Sequence, residues 1–374
     1  MKYYVIAGEV SGDMHSSLLL KYIKEKDKEA EFRCWGGDNM QKEGGFLVRH
    51  IKDLAFMGFV EVLTHLKTVL GNLSFCKKDI LDYKPDAIIL TDYPGFNLKI
   101  AKFAHKHGFK VFYYISPQVW IWKKGRIKTM KKVLEKLYVI LPFEKPFYAQ
   151  HNMEVDYYGN PLLDEISIFK NKGENKEAFL QKHNLGSKPI IAILPGSRTQ
   201  EIKAMLPIQL SIYDKYKDKF DFVIAGVNMH SEEFYKKYIG NRQVKLIFND
   251  TYNILNVANA GLITSGTATL ETALFDVPQV VCYKASKISY AIANTFLSVK
   301  YISLVNIILD RLAVVELLQK MWNKKNLEEE FERICFDYEY ITKMKKNYVE
   351  LRQILGNAGA SEKIATSIVE HLKK

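Results

Sequence analysis

Ala260-Gly-Leu-Ile-Thr-Ser-Gly-Thr-Ala-Thr-Leu-Glu271, continuing Thr-Ala-Leu-Phe-Asp-Val-Pro278, is the stretch that decides the fold. An apolar run ends in small residues and helical spacing follows, which predicts a buried strand, a tight turn and the opening of a helix. Ser265, Gly266 and Thr267 fall where the first helical N–H groups have no partner inside the helix. With Ala268 and Thr269 they form a terminus that favours an anion, most naturally a phosphate. Glu271 stands about one turn further on, within reach of sugar hydroxyls beside that phosphate. Pro278 stops the helix and leads into the strand Gln279-Val-Val-Cys282.

The same alternation extends in both directions. Upstream, Pro189–Leu194 reads as a strand and Pro195-Gly-Ser-Arg-Thr-Gln-Glu201 as its loop and helix start. Gly196 and Ser197 lead to Arg198, whose planar fork suits an oxyanion. Phe220–Ala225 and Val244–Phe248 supply further strands. Downstream of Tyr301–Asn306, two or three helices running through Glu316-Leu-Leu-Gln319 to Lys374 are expected to finish the chain.

The N-terminal part repeats the pattern. Tyr3–Ala7 predicts a strand feeding Gly8-Glu-Val-Ser-Gly-Asp-Met-His15, the opening of a doubly wound α/β domain. Its loop lacks G-x-G-x-x-G and gives no dinucleotide fingerprint, but Glu9, Ser11, Asp13 and His15 gather at a strand's carboxyl end, where such sheets bind ligands. Phe32–Gly36 follows as a strand. Asp86–Leu90 ends in Thr91-Asp-Tyr-Pro-Gly-Phe-Asn97, and Lys110–Ile115 ends in Ser116-Pro-Gln-Val-Trp-Ile-Trp122. An acid at one strand tip, Asp92, beside an aromatic loop at the next suits a sugar: the carboxylate takes a hydroxyl proton while flat rings pack on apolar faces. Leu137–Leu141 and Val155–Tyr158 are further strands, Gly159-Asn-Pro161 closes the domain, and Lys170–Lys176 reads as the linker.

The expected fold class is therefore α/β. Two Rossmann-like doubly wound domains, 1–165 and 166–340, are expected to face a central cleft. Helices over 341–374 either pack back on the first domain or exchange between subunits of a dimer.

The composition fits a soluble globular protein: 374 residues, 48% hydrophobic and 26% charged. Four cysteines without paired spacing argue against a disulfide framework or a zinc site. Neither a signal peptide nor an apolar stretch of membrane-spanning length is read from the sequence. The net charge of +12 points to an anionic partner: nucleic acid, anionic lipid or a phosphorylated substrate. Seven basic residues between Lys123 and Lys136 face the single acid Glu135. Before and on an amphipathic helix, Phe56, Met57, Phe59, Leu63 and Leu66 sit close to His65, Lys67, Lys77 and Lys78, a pattern that suits a helix packed on the sheet or a membrane-surface patch. No Walker A loop and no Asp-x-Asp pair occur, so no metal is expected to hold a diphosphate, and no cofactor is expected.

Six motifs occur in order: Ala7-Gly-Glu-Val-Ser-Gly-Asp13, Asp92-Tyr-Pro-Gly-Phe-Asn97, Ser116-Pro-Gln-Val-Trp-Ile-Trp122, Leu141-Pro-Phe-Glu144, Leu194-Pro-Gly-Ser-Arg198 and Ser265-Gly-Thr-Ala-Thr-Leu-Glu271. Together they resemble the lipid-A-disaccharide synthase family, from the first strand to at least Gln319. The family commonly has Ala at Val10, ends the aromatic loop Trp-Ala-Trp, and carries a glycine near Asp310.

The resemblance implies a metal-independent, inverting glycosyltransferase of the GT-B type. It implies transfer of 2,3-diacylglucosamine from its UDP derivative to 2,3-diacylglucosamine 1-phosphate (lipid X), giving a β-1,6-linked disaccharide 1-phosphate and UDP. It further implies a peripheral enzyme on the cytosolic face of the Gram-negative inner membrane, with no nucleic-acid partner and with a homodimer left open. The expected roles follow. Asp92 is the base on the acceptor's 6-hydroxyl, with Glu9 and His15 as rivals, and Ser11, Asn97, Ser116, Trp120 and Trp122 complete the acceptor side. Gly196, Ser197, Arg198 and Ser265–Thr269 hold the diphosphate, and Glu271 holds the ribose. Asn306 joins the nucleotide side on resemblance alone. The competing readings are another GT-B enzyme acting on UDP-N-acetylglucosamine (a peptidoglycan-type transferase or a 2-epimerase) and a basic nucleic-acid-binding protein.

Overall fold

The computed structural model describes residues 1–53, 66–121, 123–172, 175–285 and 300–374. Trp122 and the expected membrane residues Phe56, Met57, Phe59 and Leu63 lie outside these, and Leu66 opens a described helix. The described residues form two compact units. One takes Met1–Ser167 together with Leu355–Lys374; the other takes the described residues from Ile168 to Ile354.

The first unit is a parallel sheet of seven strands: β1 (Lys2–Ala7), β2 (Glu31–Gly36), β3 (Phe46–His50), β4 (Ala87–Thr91), β5 (Lys110–Tyr114), β6 (Lys136–Val139) and β7 (Asp156–Tyr157). Their order is β3-β2-β1-β4-β5-β6-β7. Between them run α1 (Val10–Lys26), α2 (Asp38–Lys42), α3 (Leu66–Tyr83), α4 (Pro94–Lys106), α5 (Arg126–Val133), α6 (Glu144–Ala149) and α7 (Pro161–Lys172). The strands read as continuous apolar runs because both faces are covered. Alternate residues divide between two cores. Tyr4, Ile6, Ile88, Leu90 and Tyr113 meet Ile80, Phe96, Ile100 and Met130 on one face. Tyr3, Val5, Ile89, Phe112 and Tyr114 meet Leu19, Leu20 and Ile23 on the other.

The second unit repeats the topology with six strands. These are β8 (Ile190–Leu194), β9 (Asp221–Gly226), β10 (Lys245–Phe248), β11 (Ala260–Thr264), β12 (Gln279–Tyr283) and β13 (Val315–Leu318), in the order β10-β9-β8-β11-β12-β13. Its helices are α8 (Lys176–Lys182), α9 (Thr199–Gln209), α10 (Tyr213–Tyr216), α11 (Glu232–Ile239), α12 (Thr251–Val257), α13 (Thr267–Leu274), α14 (Leu304–Leu309), α15 (Lys324–Phe336) and α16 (Tyr338–Leu355). One sequence expectation is corrected here. Glu316–Leu318 belongs to edge strand β13, parallel to β12, and not to a helix. A four-residue segment, Val-Glu-Leu-Leu, is too short to carry a period that separates strand from helix.

The terminal region 341–374 is divided between the units. α16 stays with the second unit, while α17 (Ala360–Lys373) buries Ile364, Ala365, Ile368 and Val369 in the α1-side core of the first. Asp164 on α7 fixes the start of α17 by accepting the backbone N–H groups of Gly359, Ala360 (3.2 Å) and Ser361 (2.7 Å). Lys26–Glu362 and Lys136–Ser367 contacts secure its outer side.

Candidate active site

In each sheet the strand order reverses at one point, between β1 and β4 in the first unit and between β8 and β11 in the second. Loops leaving those paired carboxyl ends diverge to opposite sides and leave a crevice, the usual ligand position in doubly wound folds. The loops holding Glu9, Asp92, Arg198 and Ser265–Thr269 leave these four strands.

At the β1/β4 point, Glu9 is the N-cap of α1 and Ser11 lies in its first turn, both partly exposed. Asp13, grouped with them from the sequence, is buried and serves the fold. Its carboxylate accepts the N–H groups of Gly37 (2.6 Å), Asn39 (3.1 Å) and Met40 (3.1 Å), capping α2. His15 is also buried, with Nδ1 2.6 Å from Glu165 Oε1 on α7.

Asp92 and Tyr93 both take left-handed backbone, at φ +44° and +46°, before Pro94 opens α4. Two consecutive non-glycine residues in that region persist only where neighbours over-determine them. Here the neighbours are explicit. The Asp92 carbonyl accepts the Tyr113 hydroxyl (2.5 Å) and the Asn97 amide (2.8 Å), and the Tyr93 ring stacks on Phe96 at 5.4 Å. Gly8 lies under that ring, where any Cβ would overlap it. Asn97, expected on the acceptor side, is fully buried and also donates to Thr91 O at 3.1 Å. It ties β4 to α4 and acts on a ligand only through the loop it holds.

β5 is followed by Ile115, a β-branched residue at φ +62° and so another strained tip. Ser116 is buried with Oγ 2.5 Å from Tyr148 OH, and Trp120 is 9% exposed, edge-on to Phe143 at 5.0 Å. Glu144, to which the sequence reading gave no role, is 1% exposed and accepts from the N–H groups of Ile140 (3.0 Å) and Leu141 (2.9 Å). Burial pushes its carboxyl up to about 7 despite those donors and the Trp120 indole. Arg126 is half-buried, and desolvation lowers its pKa while the neighbouring Tyr113 opposes the shift.

At the β8/β11 point the materials differ. Gly196 turns at φ +99°, and Arg198 caps α9. Glu201 accepts the N–H groups of Ser197 and Arg198, each at 3.2 Å, and its other oxygen meets the Arg198 guanidinium at 3.0 Å. That guanidinium is 47% exposed, so it can turn to an anion at small cost. Gly266 caps α13 at φ +157°, ψ −161°, a region open essentially to glycine.

The anticipated amide cradle is narrower than Ser265–Thr269. Ser265 N–H is bound to Cys282 O (3.0 Å) and Thr269 N–H to Gly266 O (3.2 Å), while Thr267 and Ala268 occupy the first two helical positions, ahead of the helix's own ladder. Glu271, one turn on, is partly exposed and lies 3.4 Å from the Tyr252 hydroxyl. Asn306 is fully buried. Its oxygen accepts from Ala313 (2.8 Å) and Val314 (2.9 Å), and its amide donates to Val314 O and Glu316 Oε1, each at 2.8 Å. Both polar atoms of its side chain are thus engaged within the fold. It holds Glu316, which accepts from the N–H groups of Ile302 and Ser303, and Ile302 O receives the Ser265 hydroxyl at 3.0 Å.

Among the described residues no group of three or more His, Cys, Asp or Glu could hold a metal ion, and no helix is long and apolar enough to cross a membrane.

The family model described as Lipid-A-disaccharide synthetase matches residues 3–368. The lipid-A-disaccharide synthase of Syntrophus aciditrophicus is 36% identical over 376 residues, covering 99% of this chain and 97% of its own. That of Geobacter metallireducens is 32% identical with the same coverage, and Lipid-A-disaccharide synthase 1 of Legionella pneumophila is 33% identical, covering 98% and 97%. Among solved structures, a UDP-GlcNAc 2-epimerase from Neisseria meningitidis bound to UDP-GlcNAc aligns at TM-score 0.69 and 15% identity, covering 99% of this chain and 100% of that one. A glycotransferase of kitacinnamycin aligns at 0.59 and 12%, covering 99% and 98%. At those identities the likeness concerns the fold, a pair of Rossmann-like domains of the GT-B type. Sequence kinship decides the rest: the chain belongs to the lipid-A-disaccharide synthetase family.

Proposed function

We propose that the chain carries out its family's glycosyl transfer with the two switch-point clusters, the β1/β4 loops serving the acceptor and the β8/β11 loops serving the UDP-sugar. The observation that supports this division is that Glu9 and Asp92 follow β1 and β4, while Arg198 and Ser265–Thr269 follow β8 and β11, the strand pairs at which each sheet's order reverses. The reaction is inverting transfer of 2,3-diacylglucosamine from UDP-2,3-diacylglucosamine to lipid X.

In the proposed mechanism the acceptor's 6-hydroxyl attacks the donor's anomeric carbon from the face opposite UDP. The bond to the phosphate oxygen breaks, and the hydroxyl proton passes to Asp92. Negative charge grows on the departing diphosphate, where Arg198 and the Thr267 and Ala268 amides stabilise it without a metal. Glu271 takes the ribose hydroxyls. Glu9 and His15 are the rival bases. Asp92 ranks first because its loop is held in strained backbone by dedicated partners.

The test is incubation with UDP-2,3-diacylglucosamine and lipid X, read by mass spectrometry. Disaccharide 1-phosphate and UDP in equal amounts are expected. Absence of the disaccharide from an incubation with the folded enzyme would overturn the reading.

The same reading has the enzyme peripheral on the anionic cytosolic face of the inner membrane. Its support is that Leu70 (52%) and Phe75 (40%) are exposed on α3 beyond the expected patch and the Arg49 guanidinium lies 5.1 Å from the Phe75 ring. Changing Phe56 and Phe59 to Ser should weaken sedimentation with anionic liposomes. Unchanged sedimentation of a folded variant would remove the patch.

A further inference from the structure

The glycine turn between β11 and α13 is fixed from behind by groups that lie far along the chain. Gly266 faces open space: a Cβ there would meet nothing within 4 Å. Its shape therefore depends on how its neighbours are held. On one side the Gly266 carbonyl accepts both the N–H (3.2 Å) and the hydroxyl (2.9 Å) of Thr269. On the other side Ser265 is held twice, its N–H donating to Cys282 O on β12 (3.0 Å) and its hydroxyl to Ile302 O (3.0 Å). The Thr269 and Cys282 contacts belong to the helix and the sheet that flank the turn. The Ile302 contact reaches a separate segment, Tyr301–Ser303, which leads into α14.

A carboxylate on the edge strand fixes that segment. Glu316 of β13 accepts the Ile302 N–H on both oxygens (3.2 and 3.1 Å), the Ser303 N–H (2.8 Å) and the Asn306 side-chain amide (2.8 Å). Ser303 is the N-cap of α14, yet its side chain makes no cap and its buried hydroxyl has no partner among the described residues. Asn306 holds the third helical position, from which a capping side chain ordinarily turns back to the N-cap. Its oxygen is instead taken by Ala313 and Val314, which lead into β13. Glu316 supplies the missing acceptor from outside the helix. A carboxylate satisfies all three donors, whereas a side-chain amide in its place would set an N–H2 group against them. A chain of contacts thus runs from β13 through Ile302 and Ser265 to Gly266, all within the second unit.

We propose that Glu316 is a positioning residue for the donor: through Ile302 and the Ser265 hydroxyl it holds the Gly266 turn in the shape that presents the Thr267 and Ala268 N–H groups to the diphosphate. The Ser265 hydroxyl then serves the turn and not the phosphate. A turn already in shape binds UDP without first being ordered, so loosening it weakens UDP and UDP-sugar binding and spares the acceptor. The proposal rests on the assignment of UDP to this unit.

The experiment measures UDP affinity by calorimetry and the KM values for the UDP-sugar and for lipid X on the full-length enzyme. The variants are Glu316→Gln, Ser265→Ala, the two combined, and Arg198→Ala, with thermal unfolding to establish that each is folded. Glu316→Gln and Ser265→Ala should each weaken UDP binding and raise the donor KM about three- to tenfold, with the lipid X KM unchanged. Both act on one chain of contacts, so the combined variant should bind UDP within about twofold of the weaker single variant. Ser265→Ala leaves the Glu316 contacts in place and reads the link even where Glu316→Gln does not fold. A folded single variant with unchanged UDP affinity and unchanged KM values overturns the brace, whatever its melting temperature. Losses that multiply in the combined variant overturn it too. If Arg198→Ala weakens UDP binding and Glu316→Gln does not, the brace falls and the donor assignment stands. If Glu316→Gln and Ser265→Ala raise the lipid X KM in place of the donor KM, the brace stands and the donor assignment falls.

Discussion

Where β1 and β4 part, the chain turns on Asp92 and Tyr93, side-chain-bearing residues held in left-handed backbone; where β8 and β11 part, it turns on Gly196 and Gly266. The strand order is the same and the turns occupy equivalent places, so the fold does not require either choice. A glycine turn exposes backbone N–H groups and lets an anion approach them closely. A strained acidic turn gives up that access to fix a carboxylate. The buried polar groups follow the same division. The first unit keeps Glu144 and the His15–Glu165 pair inside, whereas Asn306 and Glu316 in the second are fully engaged in bracing the glycine turn. On the proposed reading, one site moves a proton and the other holds a phosphate.

The strongest way to break this contrast is Asp92→Asn. General-base loss should lower kcat roughly 10²–10⁴-fold while leaving UDP-sugar binding intact. Steady-state kinetics with a loss below about tenfold would return the role to Glu9 or His15. Gly266→Ala should be milder and opposite in character. A Cβ in this region costs about 1–3 kcal/mol, to be seen in denaturant unfolding, and calorimetry should show UDP binding weakened by about tenfold or more. If stability falls but UDP affinity holds, Gly266 serves the fold alone. Smallest is Asp310→Gly. Asp310 caps α14 at φ +50°, ψ +34°, left-handed backbone that glycine adopts without strain. Left-handed backbone costs about 1–2 kcal/mol, part of which aspartate recovers locally, so a gain of roughly 0.5 kcal/mol is expected. Reduced stability on thermal unfolding would count against that strain.

The glycine-based site was the more legible in sequence. Its chemistry lies in local turns, and Ala260–Thr264 and Ile190–Leu194 read directly as buried strands with loops at their carboxyl ends. The other site was legible only at its rim. Asn97 and Asn306 were read as facing ligand, because a clipping amide and a binding amide look alike until their carbonyl partners are known. Asp13 looked like part of a polar cluster until α2 folded back onto it. Glu165 and Asp164 could not be assigned, since their partners lie 150 and up to 197 residues away. β3, Phe46–His50, escaped notice because this edge strand is only partly covered and lacks the apolar run of its central neighbours.

The docking of α17 has a consequence for how the protein is made. The sheet face formed by Tyr3, Val5, Phe112 and Tyr114 is complete only when Ile364, Ala365, Ile368 and Val369 arrive from the far end of the chain. At about 5–20 residues per second, a ribosome needs on the order of ten to forty seconds to travel from Ser167 to that helix. Through that interval the first-made half waits with an apolar surface uncovered, while the second-made half, apart from its last helices, can already close around its own sheet. Synthesis and folding therefore finish in opposite order. The nascent chain is most in need of a chaperone at the half that emerged first.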